Sequence, residues 1–395
     1  MNDLYTRTSR IVVTCNKRLA PFLEQEVRVL GYEPEEVFAT GVILMGTLPQ
    51  CMELNLHLRC ASQVLFSLQA FHAVHPEDVY EKVVRMPWET WLEKDGYFSV
   101  TSNVDQFSVN NSMFLNVKVK DAIADRFRRE VGVRPNSGPD LDKAVVHIFW
   151  KDDHAEIFMD TSGPTLAKHG YRKIPGKAPM LEALAAAAVY ATGWKGETPF
   201  VNPMCGSGTI AIEAALMATG RKPGLYRHNY SFMHWRGYDP SWYTDALQRL
   251  RAEVRQSAVT IIASDISQDA IDIAKVNATE AGVEKMIQFQ RCDFASTAVP
   301  QTPGIVFFNP EYGERLGDLE ALEETYARLG DFMKQRCQGY EGYIFTGNLE
   351  LAKKVGLKAS RRVEFYNAKI DCRLLKYELY GGSRRKTDQN VVPSS

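Results

Sequence analysis

The sequence predicts an α/β protein: a carboxyl-terminal domain on a mostly parallel sheet, preceded by smaller α+β units. Three observations point there. From residue 198 onward short apolar runs alternate with helical periods, the pattern of βαβ units. Four of these runs end in residues suited to a ligand, namely the glycine turn after Asn202, then Asp265, Asp293 and Asn309. The carboxyl ends of strands are where an open α/β sheet collects its ligand-contacting groups. Finally, 395 residues are too many for one ordinary domain, so two or three are expected.

Composition narrows the function classes. An apolar share of 45% with 24% charged residues is that of a globular chain, not a disordered one. The net charge of −1 confines any nucleic-acid surface to a local basic patch. The seven cysteines form no Cys-x-x-Cys pair, which argues against zinc or an iron–sulfur cluster, so no metal is expected. They suit free thiols in a reducing compartment. The amino terminus lacks an apolar signal core, and the longest greasy run, residues 183–191, is too short to span a bilayer. A cytoplasmic protein without a membrane partner is expected, as a monomer or weak homodimer.

Residues 10–15 read as a strand from their β-branched run, and residues 19–30 as a helix with apolar positions 19, 22, 23, 27 and 30 ending before Gly31. Strand 41–46, helix 49–58 and strand 63–71 complete a ferredoxin-like α+β unit over residues 1–70. His57 and His72 are isolated, with no ligand spacing. A second unit, 71–162, places Trp88 and Trp91 on a short helix as packing residues, then strand 98–102, helix 116–132 and strands 144–150 and 155–160. That helix and its exit carry Lys118, Lys120, Arg126, Arg128, Arg129 and Arg134 against Asp121, Asp125 and Glu130. Such a face is either solvated or a phosphate-contacting patch, since lysine and arginine supply most sequence-independent affinity for nucleic acid.

Residues 161–181 read as a hinge because the runs 161–165 and 173–179 are rich in turn residues. Within them Lys168-His-Gly-Tyr171-Arg172 is either a solvated linker or the border of a nucleic-acid path. An alanine-rich helix, 181–190, follows. Strand 199–202 leads through Pro203-Met-Cys205-Gly206-Ser-Gly208-Thr209 into helix 210–218. Its two glycines allow a tight turn and close approach of a ligand at a helix amino end. The turn is neither a P-loop nor a complete Gly-x-Gly-x-x-Gly fingerprint. Strand 260–265 ends in Asp265, suited to two ribose hydroxyls; strand 286–293 ends in Asp293, placed to meet an adenine amino group. The run 305–308 is apolar on both faces and stops at Asn309-Pro310-Glu311-Tyr312-Gly313-Glu314-Arg315. Asn309 and the Pro310 carbonyl are acceptors for an amino group, and Tyr312 offers a ring for stacking a base. Helix 319–336 and strands 342–346, 363–368 and 372–380 complete the sheet. The segment 227–235, basic and aromatic, is either a surface insertion or a receiver for a base.

Taken together, glycine turn, acid, acid and Asn-Pro-x-Tyr on successive strands resemble S-adenosylmethionine-dependent methyltransferases acting on an exocyclic amine. The resemblance extends over nearly the whole chain to the THUMP-containing RNA methyltransferases, in particular the RlmL-type guanine 2-amino methyltransferases of 23S rRNA. It rests on residues 119–125, 132–135, 160–163, 168–172, Ala178-Pro179 with Glu182, 202–209 with Glu213, and 309–315. It implies a ferredoxin-like domain, a THUMP domain at 71–162 and a Rossmann-like seven-stranded methyltransferase domain at 163–385, with a polar tail at 386–395. It also implies S-adenosylmethionine as cofactor, bound by Asn202, Pro203, Cys205, Gly206, Gly208, Thr209, Asp265, Ile266, Asp293, Phe294 and Asn309. Asn309, Pro310 and Tyr312 would hold the target base. RNA, 23S rRNA or a large-subunit precursor, would lie on Lys118, Lys120, Arg126, Arg129, Arg134, Lys168, Tyr171 and Arg172.

Two positions depart from the family pattern. Asn202 stands where the first strand commonly ends in aspartate, and Glu311 where a second proline is usual. Two other readings remain at this level: an adenine 6-amino methyltransferase on DNA or RNA, and a non-catalytic RNA-binding or ribosome-assembly protein.

Overall fold

The computed structural model describes residues 3–107, 111–176, 179–313 and 319–380; Ala178, Glu314, Arg315 and the 386–395 tail, all named above, lie outside the described residues. Two sheets organise the chain. The first begins with β1 (Ser9–Cys15), α1 (Ala20–Val29), β2 (Glu36–Phe38), β3 (Gly41–Gly46), α2 (Leu48–His57) and β4 (Ala61–His72). It continues through α3 (Pro76–Val83), α4 (Trp88–Trp91), β5 (Tyr97–Asp105), α5 (Ser112–Val131), β6 (Asn136–Ser137), β7 (Ala144–Lys151) and β8 (His154–Asp160). The strand order is β2-β3-β1-β4-β8-β7-β5-β6.

The two expected front units therefore share one eight-stranded sheet. β4 pairs antiparallel with β8, from Leu65 opposite Asp160 to His72 opposite His154. That pairing closes what would be an open edge on each unit, and exposed edges invite association. The local signals inside each unit are as expected. Thr47 and Gln50 form a capping box at the start of α2, and Asn111 caps α5, which ends on Gly132 in the left-handed conformation. Trp88 and Trp91 meet edge to face at 5.4 Å and are buried. The short helix expected at Trp88 and Trp91 is α4, whereas β2 and α3 lie under stretches without enough length for a clear period.

The second sheet is formed after α6 (Glu182–Thr192) by β9 (Phe200–Pro203), α7 (Thr209–Ala218), α8 (Pro240–Ala252), β10 (Ile261–Asp265), α9 (Gln268–Glu280) and β11 (Ile287–Arg291). It is completed by β12 (Ile305–Phe308), α10 (Leu319–Arg336), β13 (Glu341–Thr346), α11 (Leu349–Lys354), β14 (Arg361–Asn367) and β15 (Ile370–Glu378). The order is β11-β10-β9-β12-β13-β15-β14, parallel from β11 to β13 with β15 antiparallel to both its neighbours. This is the seven-stranded Rossmann-like sheet expected. The direction of strand succession reverses between β9 and β12, which places a ligand crevice at their carboxyl ends.

β12 shows why its sequence runs apolar without alternation. Successive side chains of a strand point to opposite faces, and here both faces are covered. Phe307 lies between Phe200 at 6.2 Å and Tyr343 at 6.4 Å, while Phe308 meets Phe294 and Phe332 edge-on from the other side. All four residues of β12 are buried.

The hinge expected at 161–181 is corrected by the structure. Thr161, Ser162, Leu166, Ala167, His169 and Tyr171 are buried, so the first half of this stretch, 161–171, is anchored in the packed core, while Lys173, Ile174, Pro175 and Pro179 are exposed. The segment 227–235 is corrected likewise as a receiver for a base. Tyr230, Phe232 and Trp235 are buried, and Ser231 Oγ accepts a hydrogen bond from the Val145 amide of β7 at 2.9 Å. It is a bolt between the two sheets, with its aromatic rings turned inward. Among the described residues, no helix is long and apolar enough to cross a membrane, and no cluster of His, Cys, Asp and Glu is arranged to hold a metal ion.

Candidate active site

The crevice at the reversal of strand order is lined by four strand ends. β9 delivers Asn202, and the chain then turns through Met204, at φ +57°, into Gly206 and Gly208. A left-handed methionine is strained by about 1 kcal/mol, a cost tolerated where the surroundings over-determine the backbone. Gly208 has φ +79°, and a Cβ there would meet Ala274 Cβ of α9 at 2.8 Å, so the close approach of α9 demands glycine. Around Gly206, by contrast, nothing lies within 4 Å of where a Cβ would be. The turn thus has a packed back and an open front.

Asp265, at the end of β10, accepts the Gly206 amide on one carboxylate oxygen and the Ser267 amide on the other, each at 3.0 Å. Those bonds fix the carboxylate between the glycine turn and the start of α9, with lone pairs left for further donors. Ile266 beside it is 69% exposed, an apolar side chain with no protein cover. At the next strand end Asp293 accepts the Ala295 amide and pairs with Arg328 at 2.7 Å. The Arg328 guanidinium holds the Asp293 carboxyl below its ordinary range, and it also stacks over the Phe294 ring at 4.8 Å. Arg328 comes from α10, a residue that strand-end reading cannot find, because no local spacing connects it to Asp293.

Asn202 is buried and donates its amide hydrogen to the Phe307 carbonyl at 2.9 Å, tying β9 to β12 at the crevice. Its Oδ1, and the Oδ1 of Asn309, are buried without a hydrogen-bond partner among the described residues. Two orphaned acceptors in one crevice are costly unless a ligand supplies donors or positive charge. Pro310 is buried, Glu311 exposed and Tyr312 half-buried. Two bonds pin this turn: the Tyr326 hydroxyl donates to the Glu311 carbonyl at 3.3 Å, and the Tyr312 hydroxyl accepts from Asn367 Nδ2 at 2.8 Å.

Cys205 is half-buried, and burial pushes its thiol well above the usual range, which makes it a packing group at neutral pH. Thr209 opens α7 and is buried, with Arg172 donating to its hydroxyl at 3.1 Å. Arg172 also donates to Glu182 and the Met180 carbonyl. Behind the turn Asn277 donates to the Ser207 carbonyl and accepts the amides of Lys173 and Ile174. Neither Asn277 nor Arg328 is signalled in the sequence.

The expectation that Tyr171 and Arg172 face RNA is corrected. Tyr171 is buried and donates its hydroxyl to Glu213 Oε1 at 2.8 Å, and Arg172 braces the glycine turn from behind. Arg126 is corrected too: its guanidinium turns to Glu89 and Glu130 and its side chain is only 17% exposed. Lys168 remains exposed. Lys118 pairs with Glu77 at 2.8 Å and lies over Tyr80 and Phe114, Arg129 pairs with Glu130, and Arg134 sits 3.7 Å from Asp121. Lys120 is half-buried on the same helix. The front surface is thus a basic and acidic mosaic rather than an unbroken basic stripe.

Known proteins carry the same parts. The model of an RMKL-like methyltransferase domain matches residues 169–376, an RlmL ferredoxin-like domain matches 10–65 and a THUMP domain matches 74–160. A ribosomal RNA large subunit methyltransferase K/L from Psychromonas ingrahamii is 37% identical over 92% of this chain and 49% of its own length. The chain spans about half the length of the relatives of that name. A Synechocystis sp. protein carrying the name of an RNA methyltransferase is 31% identical over 93% of this chain and 96% of its own. Among solved structures, the methyltransferase SMU.472 in complex with SAH superposes with a TM-score of 0.85 at 27% identity, covering 96% of this chain and all of its own. With the site geometry, the glycine turn and the matched domain spanning more than half of its length, the chain belongs to the RMKL-like methyltransferase family.

Proposed function

We propose that the chain transfers a methyl group from S-adenosylmethionine to the exocyclic 2-amino group of a guanine in 23S rRNA or its large-subunit precursor, in the cytoplasm. The single observation that carries this reading is the buried Oδ1 of Asn309, without a hydrogen-bond partner among the described residues, at the carboxyl end of β12, where strand order reverses. An acceptor stranded there needs a donor, and an amine has one to offer.

The residues present fit the cofactor. Asp265, oriented by the Gly206 and Ser267 amides, would accept the ribose hydroxyls, and Asp293 the adenine amino group. The exposed Ile266 and the buried Phe294 would cover the adenine faces. Asn202, Pro203, Gly206 and Gly208 would wrap the methionine part, whose cationic sulfur suits the orphaned Asn202 oxygen. Bound there, the cofactor supplies an electrophilic methyl group.

The amine nitrogen of a base is a weak nucleophile because its lone pair is delocalised into the ring. Asn309 Oδ1 and the Pro310 carbonyl, accepting its two N–H groups, hold the nitrogen pyramidal and aim its lone pair along one line. That is catalysis by positioning and by preorganised dipoles. Neither acceptor titrates near neutrality, so the surplus proton leaves to solvent after transfer. Tyr312, its hydroxyl anchored by Asn367, presents a ring to the base, which offsets part of the cost of unstacking it. Lys118, Lys120, Arg129, Arg134 and Lys168 are the groups proposed to reach RNA phosphates.

The test is methyl transfer to ribosomal RNA from a strain lacking the gene, followed by nucleoside analysis. N2-methylguanosine in the 23S fraction is the expected product. N6-methyladenosine would replace this reading with the adenine one. Absence of product together with absence of calorimetric cofactor binding would leave an RNA-binding protein without catalysis.

A further inference from the structure

The ring proposed to hold the base does not stand alone. Tyr312 packs on Phe345 of β13 at 6.4 Å, Phe345 on Phe365 of β14 at 5.8 Å, and Phe365 stacks on Phe22 at 5.6 Å with an interplanar angle of 10°. Phe345 and Phe365 are fully buried. Phe22 belongs to α1, in the first sheet's unit, so an unbroken run of four rings links the amino-terminal unit to the candidate base-holding turn. The β14–β15 hairpin also holds Tyr312 at its other end, through the Asn367 amide at 2.8 Å and the Cys372 thiol at 3.7 Å, both directed at its hydroxyl.

A second contact grips the same hairpin. Arg18, in the turn between β1 and α1, pairs with Asp371 at 2.7 Å and Glu364 at 3.2 Å, and its guanidinium lies over Tyr366 at 4.7 Å. Lys17 lies over the same ring at 4.8 Å. Arg18 adopts φ +69°, a left-handed conformation that is unfavourable for a residue with a Cβ and that the hairpin contacts hold in place. Asp371 immediately precedes Cys372, and Tyr366 immediately precedes Asn367. The two residues that touch the Tyr312 hydroxyl are therefore each one step from a residue gripped by Arg18.

We propose that Phe22 and Arg18 are positioning residues for Tyr312: the amino-terminal unit sets the ring at the target base through the aromatic run and the clamped β14–β15 hairpin. This rests on the reading of Tyr312 as the ring that meets the base. Packed aromatic contacts transmit displacement because the interior is close-packed and rings have few alternative rotamers. A shift of the hairpin moves both the face and the hydroxyl anchor of Tyr312, whereas the cofactor-binding ends of β9, β10 and β11 lie on the far side of β12 from the hairpin.

The experiment uses the full chain with 3-fluorotyrosine encoded at position 312 and follows its fluorine resonance alongside single-turnover methyl transfer. Phe22→Leu keeps apolar volume and removes the ring; Arg18→Gln removes the charge at a partly exposed site and leaves the core packing alone; Phe22→Tyr restores a ring. In the first two variants the fluorine resonance is expected to shift or broaden and transfer to fall about tenfold, a loss typical of small misplacements of a reacting group. Cofactor affinity by calorimetry stays within twofold, and Phe22→Tyr returns both signals towards the parent. A resonance that does not move in either folded variant overturns the proposal. A resonance that moves while transfer is unchanged upholds the positioning and overturns the assignment of Tyr312 to the base.

Discussion

Nδ1 of His169 lies 2.8 Å from Oε1 of Glu213, and both side chains are completely buried. Glu213 sits on α7, directly behind the glycine turn; it also accepts the Tyr171 hydroxyl and faces Arg59 at 3.6 Å. The other ring nitrogen of His169 meets the Arg59 carbonyl at 2.8 Å. One carboxylate thus joins the first sheet's unit, the 161–181 connection and the helix that follows the glycine turn. Burial alone would raise Glu213, but the charge and hydrogen bond of His169 outweigh it and hold the carboxyl below its usual range. Burial alone would lower His169, and Glu213 outweighs that and raises it.

Glu213→Gln is therefore expected to lower stability by about 3 kcal/mol, because it removes one of the two buried carboxylates, Glu213 and Glu26, whose charges bear on the buried Arg59 guanidinium. For a chain of this size that is a fall of roughly 4 °C in Tm by calorimetry. The sign with pH follows from the two shifts. The His169 contribution is complete below its unfolded value of 6.5 and is lost as pH rises through its raised folded value. The Glu213 contribution is complete above 4.5 and is lost as pH falls through its lowered folded value. The gap in stability between parent and variant is thus widest between pH 4.5 and 6.5.

His147 on β7 titrates in the opposite sense. Burial pushes it down to about 4, and its Nδ1 faces the Thr101 hydroxyl at 2.8 Å. Between pH 6.5 and 4 the unfolded chain takes a proton that the folded chain refuses, so this group makes stability fall as pH falls. Asp160, raised to about 6 by burial, opposes it, since the folded state takes that proton first. Urea unfolding of His147→Gln between pH 6.5 and 4 should show a slope differing from the parent by up to about 1.4 kcal/mol per pH unit, with the variant relatively more stable at the acid end.

Asp265→Asn removes the charge that would meet the ribose hydroxyls while keeping an acceptor for one of its two amide partners. Charge-assisted hydrogen bonds contribute about 1.5–3 kcal/mol, so cofactor affinity by calorimetry should fall about ten- to a hundredfold. An unchanged affinity would remove Asp265 from the cofactor site.

Asn309→Ala takes away an acceptor proposed to act on the reacting nitrogen. Losing one preorganised group of this kind typically costs about 10²–10³ in kcat, and single-turnover transfer should fall by that order while cofactor affinity changes by less than about tenfold.

Glu311→Pro tests the residue that departs from the family pattern. The Glu311 side chain is exposed and its carbonyl accepts the Tyr326 hydroxyl, a bond that proline preserves. Cofactor binding should persist in the variant while the methylation rate changes. Equal rates would show that the Glu311 carboxylate and N–H play no part.

Much of this fold is legible locally. The β12 run, the acids closing β10 and β11, and the helix behind Gly206 and Gly208 all follow from short-range pattern: apolar residues covered on both faces, ended by turn chemistry. Their order across the sheet is not local, since right-handed crossovers narrow the topologies without choosing one, and the Rossmann-like arrangement is implied by the family resemblance. The candidate strand-end residues could be named without coordinates. Arg328 and Asn277 could not, since each reaches its partner from a helix whose face toward the site no spacing reveals.

By itself the sequence determined the strands of the second sheet, the strand ends that line its crevice and the identity of the groups offered there, because each is set by a short run of neighbouring residues. Only the tertiary structure decided that β4 and β8 fuse the front units into one sheet, since a register between Leu65 and Asp160 leaves no local trace. It also decided that Tyr171, Arg172 and the rings of 227–235 turn inward, because basic and aromatic residues read alike whether they meet water or a buried partner such as Glu213. And it decided that Tyr312 is held by rings and a hairpin reaching back to Phe22, 290 positions earlier in the chain, a path that exists only once the two sheets have packed.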